Sequence, residues 1–536
     1  MTLNKLNKLI EVLRNYGFGR AARIFRTLHI LRQRDVEYQR WIDSLAYADT
    51  GKLTPRLTRR PLISILMPVY NVDERWLRLA VRSVIEQTYD EWELCIADDA
   101  STAAHIRPLL LEFAEADHRI KVVFRQTNGH ISAATNSALE IAAGEFCVLM
   151  DNDDELSRDA LFWVAYEIAT HSDIAVVYSD EDLIDENGRR FNPRFKASWG
   201  RESIYAGNVA THLIGYRTEL IREVGGFDSE FDGSQDHDLI LRVTELVDER
   251  QIRHIPRILY HWRAIEGSVA LDNEGKSYAI KNARRAISRH FERKGIDAVS
   301  EEGFPGHHRV RYRFSHQPKA SIITRGDAEA IKSRTKYSNF EIVPSQEKAS
   351  GEVFCFLNAD TIPLNSDWLI EVIGIACQRQ IGAVGGLAVL QNGAIANAGF
   401  VLGDGRVWPL FAGIDRSRLT SFQQLMMMRN VTAAGGGMIA ISTNALNAVG
   451  GFDPYKPLGD IDLCLKLMDS GFRNVWTPFA EFEVSSPQSM NDIEAMSKLA
   501  ECYPEWFASD PNYNPNLSFA RAGYGLAFPP RNRVRP

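Results

Sequence analysis

Three groups of acidic residues are the part of this sequence best suited to chemistry. They are Asp98-Asp99, the run Asp151-Asn152-Asp153-Asp154, and the pair Asp236 and Asp238. Two carboxylates one residue apart on a turn can direct oxygen ligands at one hard cation, such as Mg²⁺ or Mn²⁺, which often bridges carboxylates to a diphosphate. The bound metal then stabilises negative charge on a departing diphosphate. A further carboxylate facing the site can take the proton of an acceptor hydroxyl.

Each acidic group alone also has an explanation without chemistry, because an Asp after a strand often caps the next helix. Taken together, the groups predict one site. A carboxylate at a strand end can accept hydrogen bonds from a nucleobase or ribose, and ligands of open α/β sheets bind beyond the carboxyl ends of the strands.

The elements that must position these residues follow from the chain after Pro61, where apolar runs alternate with helical periodicity. This alternation predicts a doubly wound α/β sheet. The predicted strands cover residues 62–67, 93–97, 121–124 and 145–150. The predicted helices cover residues 73–87, 106–116, 132–143 and 159–171.

An internal repeat predicts a duplicated domain, because four anchors recur in the same order. The anchors are Pro61-Leu62-Ile63-Ser64-Ile65 with Pro318-Lys319-Ala320-Ser321-Ile322, Gly144-Glu145-Phe146 with Gly351-Glu352-Val353, Val224-Gly225-Gly226-Phe227-Asp228 with Val449-Gly450-Gly451-Phe452-Asp453, and Gln235-Asp236-His237-Asp238-Leu239 with Gly459-Asp460-Ile461-Asp462-Leu463. The sequence is therefore divided into a basic helical N-terminal segment (1–60), a first α/β domain (61–275), a helical connector (276–317), a second domain (318–510) and a loop-like tail (511–536).

Composition restricts the class of protein. A length of 536 residues predicts two domains, and 45% hydrophobic with 24% charged residues excludes general disorder. The net charge of −7 argues against a nucleic-acid partner. Six cysteines without a CxxC pair argue against zinc and indicate buried thiols in a reducing compartment, hence the cytoplasm.

The N-terminal segment leaves two alternatives open. No signal peptide or membrane span is predicted, but eight cations precede Asp35 against the single anion Glu11, beside an apolar stripe. Such a helix could lie on the anionic inner face of a membrane as a peripheral contact, or dock on its own protein with a solvated basic side.

The ordered motifs of residues 61–270 resemble those of glycosyltransferase family 2, whose members have the GT-A fold. The motifs are Met67-Pro68-Val69-Tyr70-Asn71, Gln87-Thr88-Tyr89, Ala97-Asp98-Asp99-Ala100-Ser101, Asn128-Gly129-His130-Ile131-Ser132, Met150-Asp151-Asn152-Asp153-Asp154, Gly225-Gly226-Phe227-Asp228, Gln235-Asp236-His237-Asp238-Leu239, Tyr260-His261-Trp262-Arg263 and Gly267-Ser268. The resemblance implies two tandem GT-A domains, of which the second is shortened.

The resemblance also implies roles for single residues. Pro68 and Tyr70 line the base pocket, and Asp99 holds the uracil or other base. Asp151 approaches the ribose or the metal, and Asp153 is the main ligand of Mn²⁺ or Mg²⁺. Asp236 is the general base. His261, as a possible further metal ligand, and Arg263 close over the diphosphate.

The second domain departs from the family pattern. About 50 residues are missing between its first strand and its metal motif, which has become Asn358-Ala359-Asp360. No histidine occurs in residues 481–486, and Asp460 has no visible nucleotide partner. We therefore expect this domain to be catalytically inactive and to serve packing, acceptor binding or dimerisation, which leaves a homo-oligomer open.

The resemblance implies an inverting glycosyltransferase. Its donor is expected to be a UDP- or dTDP-linked sugar, and its acceptor a glycan or lipid-linked oligosaccharide of a surface polysaccharide. The processive synthases' later Gln/Arg-Trp motif is absent, which favours addition of one or a few sugars. The alternatives are a nucleotidyltransferase, which Val69-Tyr70-Asn71 disfavours where a glycine-rich basic loop is expected, and a non-catalytic scaffold of a polysaccharide assembly complex.

Overall fold

The computed structural model describes residues 34–45, 50–265, 276–454 and 456–531. Most of the predicted basic N-terminal helix, with its membrane alternative, lies outside these residues. The described part of that segment contains helix α1 (residues 34–43) and the short helix α2 (Thr50–Leu53).

The first body is built on a nine-stranded sheet in the order β3-β2-β1-β4-β8-β6-β9-β5, with β7 paired to β6. Its strands are β1 Ile63–Val69, β2 Trp92–Asp98, β3 Ile120–Phe124, β4 Phe146–Leu149, β5 Glu155–Leu156, β6 Val176–Ile184, β7 Arg190–Arg194, β8 Ile214–Arg217 and β9 Ile252–Arg263. Strands β1 to β4 run parallel to one another, and their carboxyl ends meet at one edge, whereas β8 runs antiparallel to β4. Every residue of β2 is buried, as expected for a parallel strand covered on both faces.

Helices flank this sheet and carry its parallel crossovers. They are α3 Glu74–Ile85, α4 Ile106–Ala116, α5 His130–Glu140, α6 Ala160–Thr170, α7 Arg201–Ile204, α8 Thr218–Glu223 and α9 Gln235–Thr244. Helix α3 shows why the sequence folds in this way: Asp73 caps it by accepting a hydrogen bond from the Arg75 amide, and Leu77, Val81 and Val84 form its buried face.

The connector contains more than the predicted helix. Helix α10 (Lys276–Lys294) is followed by a hairpin of β10 (Ala298–Glu302) and β11 (His308–Tyr312). The prediction of a helical connector over residues 276–317 is therefore wrong for its second half. The hairpin alternates buried and exposed residues only weakly, so its sequence gave little periodic signal.

The second body repeats the first with one edge removed. Its strands are β12 Ala320–Ile323, β13 Phe340–Val343, β14 Val353–Leu357, β15 Ile362–Pro363, β16 Ile381–Leu390, β17 Ile395–Asn397, β18 Phe400–Gly403, β19 Arg406–Pro409, β20 Arg429–Asn430, β21 Met438–Ser442 and β22 Arg473–Val484. Its helices, and those of the tail, are α11 Ala328–Ser333, α12 Trp368–Ala376, α13 Thr443–Ala448, α14 Gly459–Asp469, α15 Ile493–Cys502 and α16 Pro504–Ala508. The sheet order is β13-β12-β14-β21-β16-β22-β15, which matches the first sheet without β3. The predicted α/β class, with two tandem domains and a shortened second one, is confirmed.

Equivalent contacts show the duplication directly. Ser64 Oγ donates to Glu93 Oε1 at 2.6 Å in the first body, and Ser321 Oγ donates to Glu341 Oε1 at 2.7 Å in the second. Strand β13 has Glu341 where β2 has Glu93, but β13 is only four residues long. The missing stretch therefore begins after this strand, and the counterparts of Asp98-Asp99, α4, β3 and α5 are absent.

The chain ends tie the two bodies together. The tail packs back on the first body, where Asn514 Nδ2 donates to Asp180 Oδ2 at 2.8 Å and Asn516 Nδ2 donates to the Pro256 carbonyl at 2.9 Å. Both asparagines are buried. In a second contact between the bodies, Arg473 of β22 pairs with Glu202 of α7. The loop-like tail is thus an integral part of the packed structure.

None of the described helices has both the length and the apolar composition needed to cross a bilayer. Four of the six thiols, at Cys95, Cys147, Cys355 and Cys464, are buried, and all six are free.

Candidate active site

The loop that carries Asp151, Asn152 and Asp153 is fixed from both sides. Asn152 Nδ2 donates to the carbonyl of Pro68 at the end of β1, at 2.7 Å. On the other side, Asp154 accepts a hydrogen bond from Tyr260 Oη at 2.5 Å and one from the backbone amide of Arg263 at 2.7 Å. The fully buried carboxylate of Asp154 therefore anchors the loop to β9. The carboxylates of Asp151 and Asp153 do not take part in this anchoring.

Burial and like charges act together on Asp151. Its pKa is raised to about 7 by burial and by the neighbouring charges of Asp153 and Asp236. Burial likewise raises the pKa of Asp153, against the opposing effect of Arg263. The structure thus brings three of the predicted acids into one electrostatic neighbourhood, although Asp236 comes from a different part of the chain. A divalent cation would relieve this repulsion.

Asp236 lies in the first turn of α9. Its Oδ2 accepts a hydrogen bond from Asn208 Nδ2 at 3.0 Å and its Oδ1 accepts one from the His237 amide at 2.9 Å. Burial raises the pKa of Asp236 despite these bonds. By contrast, Asp238 pairs with Arg242 one turn later and serves the helix rather than the site. Gln235, the departure from the family pattern, accepts a hydrogen bond from the amide of Gly233.

His261 lies on β9 opposite Glu155 of β5, next to the acidic loop. Its Nδ1 is 2.6 Å from Asp182 Oδ1, and its Nε2 forms no hydrogen bond with any described residue. A histidine whose other nitrogen is held by a carboxylate is the usual arrangement of a metal-binding imidazole. The geometry therefore suits the predicted ligand role, which stays a prediction.

Arg263 has a set of protein partners. Its Nε donates to the carbonyl of Asp153 at 2.7 Å, its Nη2 pairs with Glu155, and its guanidinium lies 4.4 Å from the centre of the Trp76 ring. The side chain is 1% exposed. In the structure Arg263 supports the backbone of the acidic loop from beneath, and its predicted contact with the diphosphate stays a prediction.

The three residues predicted to bind the base lie at the carboxyl edge of β1 and β2. Asp99 is buried, and its carboxylate accepts hydrogen bonds from Arg125 Nε at 2.8 Å and the Gly129 amide at 2.9 Å. Pro68 is half-buried, whereas Tyr70 is 49% exposed and offers its ring to solvent. Asp99 thus also fixes the loop before α5, and the assignment of a base to it stays a prediction.

The described residues contain no cluster of three or more His, Cys, Asp or Glu side chains arranged as a complete metal site. Asp151, Asp153 and His261 therefore do not form a complete site on their own, and their role as metal ligands stays a prediction. Mg²⁺ and Mn²⁺ are commonly held by one or two carboxylates together with substrate phosphates and water. The three residues therefore fit a cation that is shared with a bound diphosphate.

The corresponding positions of the second body are occupied by internal contacts. Asp460, the counterpart of Asp236, accepts hydrogen bonds from Gly436 N at 3.0 Å and from Gln488 Nε2 at 2.8 Å. Asp360, the counterpart of Asp153, accepts one from the Ser485 amide at 3.0 Å. Glu483 stands opposite β15 where His261 stands opposite β5.

Sequence reasoning missed a buried acidic triplet on β6, formed by Asp180, Glu181 and Asp182. All three are at most 1% exposed, and each has cationic or polar partners. Three consecutive acids contradict the apolar pattern of a buried strand. The signal that could have revealed them is the apolar run 174–178 that leads directly into them.

Comparisons with known proteins place these residues in a family context. Residues 64–225 match the family "Glycosyl transferase family 2". The chain is 35% identical to "Uncharacterized protein y4gI" of Sinorhizobium fredii, over 89% of this chain and 60% of that protein. It is 30% identical to "O-antigen biosynthesis protein RfbC" of Myxococcus xanthus, over 89% of this chain and 42% of that protein.

The chain therefore spans between two fifths and three fifths of the length of these two relatives. Among solved structures, S. aureus TarS 1-349 in complex with UDP-GlcNAc is 22% identical, with 43% of this chain and 66% of that chain covered and a TM-score of 0.36.

Proposed function

Because residues 64–225 match glycosyltransferase family 2, we propose that this chain transfers a sugar from a nucleotide-sugar donor to a hydroxyl of a surface glycan. The acceptor in this proposal is a growing polysaccharide or a lipid-linked oligosaccharide. The naming of one relative as an O-antigen biosynthesis protein supports that class of acceptor. The observation that carries the proposal is that Asp236 lies near enough to Asp151 for its charge to raise the pKa of that carboxyl.

Asp236 acts as the general base. Its carboxylate takes the proton of the acceptor hydroxyl while the hydroxyl oxygen attacks the anomeric carbon from the side opposite the diphosphate. The bond from the anomeric carbon to the diphosphate oxygen breaks in the same step, so the configuration at the anomeric carbon is inverted. A raised pKa makes Asp236 a stronger base than an exposed Asp, which favours this proton transfer.

Asp151, Asp153 and His261 are the residues that would hold Mn²⁺ or Mg²⁺ beside the donor's diphosphate. When bound, the cation supplies charge stabilisation for the departing nucleoside diphosphate. Asn152 and Asp154 keep the backbone of this loop fixed between β1 and β9, so the two carboxylates need little reorganisation.

The nucleoside lies along the carboxyl edge of β1 and β2, where Pro68, Tyr70 and Asp99 are placed for a uracil or thymine base. This proposal takes UDP- or dTDP-sugars as donors. Arg263 contributes by holding the loop and by adding positive charge beneath the diphosphate. The reaction takes place in the cytoplasm, where the free thiols stay reduced.

Chemistry is assigned to the first body alone. The second body has Asn358 where the first has Asp151, and it lacks the counterpart of the nucleotide edge. We infer that the second body supports the first through packing and acceptor binding.

The deciding experiment uses the purified full chain. Thermal shifts with a panel of nucleotide sugars, with and without Mn²⁺, identify the donor, because a bound ligand raises the apparent Tm by mass action. Transfer to polysaccharide fragments is then followed by NMR, which reports the anomeric configuration of the product. We expect an Mn²⁺-dependent shift with one donor class and an inverted product. No shift with any donor, or a retained configuration, contradicts the proposal.

A further inference from the structure

Asp182 on β6 lies between the candidate active site and the N-terminal helix. Its Oδ1 is 2.6 Å from His261 Nδ1, and its Oδ2 accepts hydrogen bonds from Tyr38 Oη at 2.5 Å and Arg190 Nε at 2.6 Å. The carboxylate is completely buried. Both oxygens are therefore used, one toward the site and one toward α1 and β7.

Helix α1 is seated firmly at this point. Tyr38 and Trp41 are both 0% exposed and belong to the core of the second body, and their rings stack 6.0 Å apart. Trp41 also contacts Phe195 edge to face at 5.2 Å, and Gln39 Nε2 donates to the Arg190 carbonyl at 2.5 Å. The packing of Tyr38 and Trp41 therefore determines the position from which the Tyr38 hydroxyl contacts Asp182.

The bonding pattern determines which nitrogen of His261 carries the proton. Oδ2 of Asp182 accepts a hydrogen bond from Tyr38 Oη and pairs with the guanidinium of Arg190, so the group is a carboxylate and only accepts hydrogen bonds. Nδ1 of His261 must then carry the proton. In the neutral ring this leaves the lone pair on Nε2, the form in which imidazole binds a cation.

We propose that Asp182 is a positioning residue that fixes the tautomer and direction of the His261 ring, and that Tyr38 of helix α1 holds Asp182 for this purpose. The inference rests on the proposed function for the identity of the ligand at Nε2, a divalent cation shared with a nucleoside diphosphate. It extends the active site by two residues that do not touch the substrate. One of them, Tyr38, lies outside the segment that matches the family.

A neighbouring pair provides a matched control. Asp180 lies two residues earlier on the same strand and is equally buried. Its Oδ1 is 2.8 Å from His254 Nε2. Asp180→Asn therefore removes the same charge from a second buried Asp–His pair, whose histidine is not one of the predicted site residues. For Tyr38→Phe the control is Tyr337→Phe, since Tyr337 is a buried tyrosine of the second body whose hydroxyl donates to the Pro318 carbonyl at 2.7 Å.

The test measures the His261 ring and the cation separately in the full chain. Nitrogen NMR of ¹⁵N-histidine-labelled protein reports the protonation of Nδ1 and Nε2, with the His261 signals assigned from the His261→Gln variant. Mn²⁺ affinity in the presence of UDP is measured by electron paramagnetic resonance. We expect Asp182→Asn to produce a mixture of His261 tautomers and to weaken Mn²⁺ binding about 10- to 100-fold. Tyr38→Phe should change both in the same direction by less.

The controls should leave the His261 signals and the Mn²⁺ affinity unchanged, even where they lower the Tm. Unaltered His261 signals in both Asp182→Asn and Tyr38→Phe overturn the positioning role. Equal changes in the controls reduce it to a general effect of stability and also overturn it. If the wild type binds no Mn²⁺ with UDP, the metal part of the proposed function fails, whereas the NMR comparison still decides whether Asp182 fixes the ring.

Discussion

The buried Glu202 and the half-buried Arg473 form an ion pair between the two bodies, with Arg473 Nη2 2.9 Å from Glu202 Oε1, although 271 positions separate them in the chain. Asn430 Nδ2 also donates to the same carboxylate at 2.7 Å. Burial alone would raise the pKa of Glu202, but Arg473 and Asn430 lower it below its usual value of 4.5. The pair thus joins the bodies at a point where the carboxylate of Glu202 is buried and depends on Arg473 and Asn430 for its partners.

Arg473→Met is expected to destabilise the protein by about 3 to 5 kcal/mol, because it leaves a buried carboxylate without its cation. The exposed pair of Arg250 and Asp248 offers a control, and Arg250→Met should leave the free energy of unfolding almost unchanged, because water screens this pair. Chemical denaturation measures both. Since the folded pKa of Glu202 is lowered, the wild-type advantage is present above pH 4.5 and is lost as the pH falls below it. Equal losses in the two variants contradict the role of the pair.

Asp236→Asn and Asp153→Ala are each expected to lower kcat by about 10²- to 10⁴-fold, as the loss of a general base or a main metal ligand requires. The matched changes Asp460→Asn and Asp360→Ala address the same positions of the second body and should leave kcat within about twofold. Initial transfer rates with the identified donor and Mn²⁺ check all four. Full activity of Asp153→Ala, or transfer that survives Asp153→Ala with Asp236→Asn, contradicts the assignment of chemistry to the first body.

Asp151→Asn is expected to raise stability at pH 8 while it lowers activity. The pKa of Asp151 is about 7 in the folded state against a usual 3.8, so the folded protein holds the proton more tightly than the unfolded chain. Stability therefore falls as the pH rises from about 4 to 7, at up to about 1.4 kcal/mol for each pKa unit.

Thermal unfolding at pH 4 and pH 8 measures this effect in the absence of metal, and the gain should appear at pH 8 only. Asp117→Asn is the control of opposite sign, because hydrogen bonds from Arg119 lower the pKa of Asp117. A Tm of Asp151→Asn below that of the wild type at pH 8 contradicts the prediction that burial and neighbouring charges destabilise the Asp151 carboxylate.

Asn514→Leu is expected to destabilise the protein by about 1.5 to 3 kcal/mol, the range for a hydrogen bond to a charged group. The side chain donates to Asp180 and to the Lys196 carbonyl, and it is buried. Asn339→Leu removes an exposed bond to the Gln317 carbonyl and should have an effect near zero. Urea denaturation compares the two, and equal midpoints show that the tail does not support β6.

The sequence predicted the parallel half of the first sheet well, because its strands are continuous apolar runs. The predicted strand 62–67 is Ile63–Val69 in the structure, and 93–97 is Trp92–Asp98. Strand β6 was not predicted, since its second half is acidic and the compensation comes from residues far along the chain. Such long-range pairing leaves no local period to detect.

The candidate site shows the same division. The acids that follow strands could be found because the carboxyl edge of a parallel sheet collects them. The supporting role of Asp154 and Arg263 could not be found, because it depends on the pairing of β5 with β9 across more than one hundred residues. The repeat of Tyr89 and Tyr337, each donating to a carbonyl before its first strand, was present in the sequence but too short to stand out.

The contact of Asn514 with Asp180 spans 334 positions and also determines when the molecule can be completed during synthesis. Strand β6 leaves the ribosome long before the tail, whose Asn514 donates hydrogen bonds to Asp180. Until then a buried acid of the first body lacks one of its partners, and the nascent first body stays incomplete while the second is being made. Contacts of such sequence separation slow folding, because a long loop must close before they form. The first body is therefore expected to reach its final stability only after translation has passed Asn514.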